Sequence, residues 1–245
     1  MKEQRKLNKG GKMLLLFTLV ISSIFLLRPF TVKADVNVNI NKETQIVTDL
    51  IGQYSINYTG DANFFGFYGY YENNNYNEMV KDTDFKATVD TIGKDKIVNS
   101  SIASLKKTDG ATQIEAAYLV WETSVQGKNN TDLVKKAANK AVYFAGSTDK
   151  GAFTKKVNAS YAAVDMREPH LGTKEYTFSC MYVDVTSVVQ KYGYGKYGVA
   201  NIPYAASMKT SNTDKGTHAG ESSSAWQLIV IEKNSKANVR AVSLK

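Results

Sequence analysis

The sequence predicts a mainly β protein, a two-sheet jelly-roll-like sandwich with one or two short helices. Three segments carry this prediction, namely Glu175–Val183, Ala225–Ile231 and Gln113–Trp121. The first alternates large apolar with small polar residues, which is typical of a strand with one face in water. The other two are nearly continuous in apolar residues and need cover on both faces. We therefore expect these two to be central neighbours, with Trp121 and Trp226 in or beside the core.

Residues 1–34 have the three parts of a secretory signal peptide. A basic start is followed by an almost wholly apolar stretch over residues 13–27 and by a small-residue pattern at Val32 and Ala34. We predict cleavage after Ala34 and a secreted or cell-surface location. The apolar stretch is shorter than the roughly 20 residues of a spanning helix, so we expect no membrane span in the mature chain.

The charge of the mature chain argues against nucleic acid as a partner. The whole sequence has a formal charge of +8, but seven of its 31 Lys and Arg and one of its 23 acidic residues lie in residues 1–34, which leaves +2. A nearly neutral chain lacks the basic patch that nucleic-acid binding needs. Residues 35–245 contain no Pro-, Gly- or Ser-rich linker, and we expect them to form a single β-sandwich domain.

Other elements are predicted from shorter patterns. The break at Asp184 indicates a short helix, with Val185, Val188 and Val189 facing a sheet and Gly193 ending it. The remaining predictions are an edge strand near 36–40, a strand over 46–58 with a bulge or bend at Gly52, strands at 85–89, 141–145 and 156–161, and a helix at 131–138.

Cys180 is the single cysteine of the sequence, so it cannot form an intramolecular disulfide. It shares strand parity with Tyr176, Phe178 and Tyr182, and we interpret it as a buried, inert thiol. The scarcity of cysteine, the abundance of Asn and Lys and the long basic leader suggest export from a Gram-positive bacterium.

The segment 63–76 is the most unusual in composition, because aromatic residues and glycines lead into a run of asparagines. Sugar rings stack on aromatic faces while amides bond their hydroxyls. The candidate binding residues are therefore Tyr68, Tyr70, Tyr71 and Tyr76. The alternative for this segment is a core strand that ends in a polar turn, which suits its phenylalanines.

No cofactor is predicted. Asp82 and Asp84 can ligate calcium, but no complete calcium loop is present, and a solvated turn is the favoured interpretation. Gly220–Ser224 begins the Gly-x-Ser-x-Gly pattern of a hydrolase but lacks its second glycine. We find no recognisable catalytic motif and predict that the protein is not an enzyme.

Four segments and one arginine, in this order, carry a family resemblance: Ala117–Trp121, Val183–Val189, Gly195–Ile202, Trp226–Glu232 and Arg240. Together they resemble the N-terminal secreted β domain of Gram-positive cell-surface proteins, which are repeat-bearing and adhesin-like. The resemblance implies an adhesive or envelope-structural role.

We therefore expect a non-catalytic cell-surface or extracellular protein whose partners are a cell-wall polymer, a glycan or an extracellular protein. One alternative is a carbohydrate-binding module that uses an aromatic platform. A second is an extracellular hydrolase whose acids converge only in three dimensions. A row of exposed aromatic residues with polar neighbours favours the module, and two acids facing across a cleft favour the hydrolase.

Overall fold

Two β-sheets form the framework of this computed structural model, which describes residues 37–39, 48–65, 77–126, 136–167, 176–203 and 223–244. The described strands are β1 (Asn37–Asn39), β2 (Thr48–Phe65), β3 (Ser100–Leu105), β4 (Ala111–Gln126), β5 (Val142–Thr148), β6 (Gly151–Val157), β7 (Tyr161–Arg167), β8 (Tyr176–Asp184), β9 (Gly195–Ala200), β10 (Ser223–Asn234) and β11 (Val239–Leu244). The helices are α1 (Glu78–Lys81), α2 (Lys86–Ile92) and α3 (Thr186–Tyr192), with 3-10 turns at Thr83–Phe85 and Lys94–Lys96. Residues 136–138 are also helical.

The strand order is that of a jelly roll. One sheet has the order β1-β7-β8-β4-β10-β2-β11 and the other β3-β9-β5-β6. Four antiparallel pairs nest inside one another along the chain, namely β2 with β10, β3 with β9, β4 with β8 and β5 with β6. Because the nested pairs wrap across both sheets, the predicted fold class is confirmed. Strands β1, β7 and β11 widen the larger sheet.

Strand β10 lies inside the larger sheet, between β4 and β2, as its continuous apolar sequence predicts. Trp226 on β10 is the register partner of Trp121 on β4, and both side chains are buried. The prediction that these two strands are neighbours in the core is confirmed.

The space between the sheets is filled by aromatic and aliphatic side chains. Phe144 and Tyr197 stack at 5.6 Å between ring centroids, and Phe153 meets Phe144 edge-on at 5.2 Å. Trp226 adds a polar link, since its Nε1 donates to Ser101 Oγ at 2.8 Å and Ser101 Oγ donates to Asn63 Oδ1 at 2.7 Å. This link joins the two sheets and satisfies polar groups that burial would otherwise leave unpaired.

The strand predicted at residues 85–89 is wrong, because this segment belongs to helix α2 and the turn before it. Phe85, Thr88 and Ile92 are buried, and their spacing of three and four residues is helical. Asp82 accepts a hydrogen bond from the backbone N of Asp84 at 2.9 Å, which caps the 3-10 turn.

Helix α3 confirms the prediction of a break after β8. Asp184 Oδ1 accepts from the backbone N of Thr186 at 2.8 Å, and Val185 and Val189 are buried against the sheets. Gly193 follows with φ of 75°, a conformation that side chains with a Cβ rarely adopt. The chain is thereby released from the helix and enters β9.

Two finer predictions fail. The strand expected at residues 156–161 is interrupted, because residues 156–157 end β6, residues 158–160 are a connection and residue 161 begins β7. No bulge lies at Gly52, because Gly52 pairs in regular register with Arg240. The irregularity on β2 lies opposite Ser224 and Ala225 instead. A Cβ at Gly52 would approach the Tyr54 ring to 2.8 Å, which explains why the smallest residue fits there.

The edges of the larger sheet are short strands. Strand β1, at the predicted edge-strand position, pairs in parallel with β7, and β11 pairs with β2. Of the helix predicted at 131–138, only its end at 136–138 lies within the described residues. No helix in these described ranges is long and apolar enough to cross a membrane.

Candidate binding surfaces

The residues predicted as a sugar platform, Tyr68, Tyr70, Tyr71 and Tyr76, lie outside the described residues. The predicted cleavage position after Ala34 lies outside them as well. Both stay predictions, and the candidate surfaces below are built from other residues.

Asp82 and Asp84, considered above for calcium, both contact one lysine. Lys196 Nζ lies 2.8 Å from Asp82 and 2.7 Å from Asp84. The hydrogen bond from Lys196 holds the pKa of Asp82 below its ordinary value. Among the described residues, no group of three or more His, Cys, Asp or Glu side chains is placed to hold a metal ion.

The outer face of the four-stranded sheet is covered by helices. Small residues point outward from this sheet at Ala145, Gly198 and Ala200, and a buried apolar cluster with Met79 and Phe85 lies against them. A Cβ at Gly198 would stand 2.4 Å from the end of the Met79 side chain. We call this layer, residues 78–97, the helical cover.

The outer face of the seven-stranded sheet bears tyrosines on four strands. Tyr54 is buried in an apolar cluster with Tyr118 near one end of this face. We call the following four the tyrosine face: Tyr58, Tyr118, Tyr161 and Tyr182. In the register of the sheet, Ile229 lies between Tyr58 and Tyr118. In the neighbouring row of paired residues on the same face, Tyr182 pairs with Tyr161. Because side chains alternate along a strand, these residues face away from the core that lies between the sheets.

The tyrosines differ in exposure. The more buried rings pack together on the sheet, and the most exposed ring is free to contact a partner. Tyr58 is 68% exposed, whereas Tyr118 is 7% exposed. Tyr161 and Tyr182 are half-buried, with ring centroids 5.7 Å apart. The pKa of Tyr182 is raised, first by burial and then by its neighbours Tyr161 and Tyr118. The three rings therefore form one packed group, while Tyr58 projects into solvent.

Exposed polar side chains lie among these tyrosines. Gln227 is opposite Val120, Glu122 is opposite Cys180, and Asp184 is opposite Tyr118. Gln227, Glu122 and Asp184 are all exposed. The face thus combines aromatic rings with an amide and two carboxylates, the groups that can hold sugar hydroxyls around a stacked ring.

The prediction that Cys180 is buried is wrong, because the residue is exposed on β8. Partial burial of its sulfur and the nearby Glu122 raise the pKa of the thiol. The neighbours of opposite parity, Ser179 and Met181, are the buried ones. The alternation of side chains along β8 correctly places Cys180 on the same face as Tyr182, but it does not show which face of the strand turns inward. The large aromatic residues on the face of Cys180 suggested that this face was the core, whereas it bears the tyrosine face.

The tyrosine face is not evident in the sequence, because its members lie far apart in the chain. Tyr58 and Tyr182 are brought to one surface only by the register of four strands. The alternation within each strand is visible in the sequence, and it is the one pattern that points to these residues.

A cleft of about 330 Å³ lies between the start of β4 and the segment that follows helix α3. Its lining residues are Lys107, Thr112, Gln113, Ile114, Gln190 and Tyr194. Behind Tyr194 lies Glu232, which is fully buried and accepts a hydrogen bond from the Tyr194 hydroxyl at 2.8 Å. The lining of this described cleft contains no carboxylate, so it does not have the pair of facing acids of a glycoside hydrolase.

Fold and surfaces together define a class, a mainly β jelly-roll sandwich with one helix-covered outer face and one tyrosine-bearing outer face. Comparison of the chain with protein-family models, with curated proteins and with solved structures found no match. The resemblance to Gram-positive surface proteins therefore stays a prediction.

Proposed function

We propose that the protein is a secreted, non-catalytic cell-surface protein that adheres to polysaccharide through the tyrosine face. The proposal joins the adhesive role expected from the sequence with the aromatic platform of a carbohydrate-binding module. The observation that carries it is the set of tyrosines with exposed amide and carboxylate neighbours on one outer sheet face.

The exposure of Tyr58 supports a role in contact. A ring that is 68% exposed contributes little to the stability of the sheet, and the neighbouring Ile56 is also 55% exposed. Large apolar groups that project from a sheet between polar residues are typical of an interaction surface. Sugar rings suit this surface because their apolar faces stack on tyrosine and their hydroxyls bond amides and carboxylates.

The dimensions of the tyrosine face favour a polymer over a single small molecule. From β2 to β7 the sheet spans four strand intervals, which is about 19 Å at about 4.8 Å per interval. A sheet face of this length fits several sugar units of an extended chain, whereas small ligands are usually enclosed in a pocket. Cell-wall polymers and other surface glycans are the partners of this kind.

Binding of the purified protein to insoluble cell-wall polymers and polysaccharides, measured by pull-down and by affinity electrophoresis, tests the proposal. We expect saturable binding that Tyr58→Ala weakens by tenfold or more. The matched control is Ile51→Ala, which removes an exposed apolar side chain from the same strand outside the tyrosine face. A third variant replaces Tyr68, Tyr70 and Tyr71 with alanine.

Loss of binding in Tyr58→Ala with retention in Ile51→Ala supports the tyrosine face. Loss only in the triple variant would move the binding surface to the segment predicted from the sequence. Equal binding by all variants, or binding to extracellular proteins and to none of the glycans, would overturn the polysaccharide proposal.

A further inference from the structure

The cleft beside Tyr194 is a second surface with the features of a binding site, and it is separate from the tyrosine face. One end of it is formed by the β3–β4 connection at Lys107 and the other by Gln190 and Tyr194. Its volume of about 330 Å³ is at the lower end of the range of small-molecule sites. A ligand of one or two sugar rings is of suitable size.

The inner wall of the cleft is organised by a buried carboxylate. Glu232 accepts from Tyr194 Oη at 2.8 Å and from Ser55 Oγ at 3.1 Å, with longer contacts from Asn57 Nδ2 at 3.4 Å and Thr108 N at 3.5 Å. Within the described ranges, no Lys or Arg forms an ion pair with it. The carboxyl group is held by hydrogen-bond donors alone, and Tyr194 is the one donor among them that also lines the cleft.

This arrangement fixes what the Tyr194 hydroxyl offers to a ligand. Burial and the hydrogen bond to Glu232 raise the pKa of Tyr194 above its ordinary value, so the phenol stays protonated. Because its proton is directed to Glu232, the oxygen presents only acceptor lone pairs toward the cleft.

Two further polar groups each donate one hydrogen bond to the protein. The Thr112 hydroxyl donates to the carbonyl of Lys233 at 3.2 Å, and Gln190 Nε2 donates to the carbonyl of Ile114 at 3.0 Å. Both oxygens remain acceptors, and the second N–H of the Gln190 amide remains a donor. With Tyr194, they make a wall that is suited to ligand groups that donate, such as hydroxyls.

Lys107 requires a ligand group that accepts hydrogen bonds. It is the single formally charged residue among the described residues that line the cleft. Its ammonium can only donate, and it attracts an anion. Ile114 and the Tyr194 ring supply apolar surface against which the C–H face of a sugar can pack. A ligand with several hydroxyls and one carboxylate matches all three parts of the cleft.

We propose that the cleft between Lys107 and Tyr194 binds a single acidic sugar residue, of the uronic acid class. The hydroxyls of the sugar donate to Tyr194, Thr112 and Gln190, and its carboxylate pairs with Lys107. Glu232 is a positioning residue, since it holds the Tyr194 hydroxyl without contacting the ligand. This site does not depend on the tyrosine face.

Titration of the purified protein with glucuronic acid, glucose and sodium acetate, followed by calorimetry and by NMR shifts, tests the proposal. We expect saturable glucuronic acid binding at least tenfold tighter than glucose and no specific binding of acetate. Lys107→Gln lowers the affinity for glucuronic acid to that for glucose. Tyr194→Phe keeps the ring and weakens both sugars several-fold.

The matched control is Lys155→Gln, which removes an exposed lysine from β6 and leaves the affinity unchanged. Tyr58→Ala also leaves glucuronic acid binding unchanged, which separates this site from the tyrosine face. Binding of acetate as tight as that of glucuronic acid, an equal loss in both lysine variants, or no saturable binding would overturn the proposal.

Discussion

The two outer faces of the sandwich differ in what covers them. On the four-stranded sheet the outward residues Ala145, Gly198 and Ala200 are small, and the helical cover packs on them and on their larger neighbours Ile102 and Tyr143. On the seven-stranded sheet the outward residues form a buried apolar cluster around Tyr118, and Tyr58 projects from it into solvent. Small residues therefore let the helices approach the first sheet closely, whereas the second face leaves a large ring exposed for contact.

The comparison also shows two uses of the same residue type. Tyr197 points into the core and stacks on Phe144, whereas Tyr58 and Tyr182 point outward from the other sheet. A tyrosine in the core contributes to stability through its buried apolar area, whereas the apolar area of an exposed tyrosine is available to a binding partner. The predictions below test this division from its largest expected effect to its smallest.

Phe85→Ala tests the helical cover. Phe85 is 1% exposed, and its truncation leaves a cavity between the helices and the sheet. We expect the free energy of unfolding to fall by about 3–5 kcal/mol, measured by urea denaturation. Tyr58→Ala on the other face is the matched aromatic variant and should change it by less than about 0.5 kcal/mol. Equal losses in both variants would contradict the division between the faces.

Gly198→Ala tests whether small outward residues are required for the cover. The new Cβ would lie 2.4 Å from the Met79 side chain and 2.9 Å from the backbone oxygen of Ser101. The flexible methionine can move but the backbone cannot, so we expect a loss of about 1–3 kcal/mol. Met79→Ala is itself destabilising, because Met79 is fully buried, so the comparison is made within that background. There the Gly198→Ala change should cost less but still destabilise, and no cost in that background would show that the methionine alone makes the site tight.

Asp82→Asn tests the electrostatic link between the cover and strand β9, through the ion pair with Lys196. The pKa of Asp82 is lowered, so its contribution to stability is present above the ordinary value of 3.8 and is lost as pH falls through the folded-state pKa. We expect the variant to lose less stability than the wild type on acidification from about pH 4. At pH 7 the effect is small, because the pair is partly exposed.

Melting curves between pH 2 and 7 measure this effect. Asp90→Asn is the control, since the Lys86–Asp90 pair lies on α2 and is more exposed. The same acid response in wild type, Asp82→Asn and Asp90→Asn would show that the Asp82–Lys196 link does not stabilise the cover.

The sequence predicts the central strands well because their pattern is strong. Strands β4 and β10 need cover on both faces, and that requirement alone places Trp121 and Trp226 in the core. The strand predicted at residues 85–89 is wrong because the helical spacing of Phe85, Thr88 and Ile92 extends beyond that five-residue window. Helix α2 becomes evident only over its whole length.

The candidate surfaces were less predictable than the fold. The tyrosine face depends on the register of β2, β10, β4, β8 and β7, which no local pattern supplies. The cleft depends on Glu232, which is polar and lies at the end of a continuous apolar strand. A glutamate there suggests an exposed strand end, whereas Ser55, Asn57 and Tyr194 converge on it and make burial possible.

By itself the sequence determined the fold class, the two central strands, the cap at Asp184 and the glycine that ends helix α3. These features follow from local periodicity and backbone chemistry, which act within a few residues of each other. Only the tertiary structure decided which face of each strand turns inward. That choice separates the exposed Cys180 and Tyr58 from the buried Met181, because it depends on what other strands and helices bring against each face.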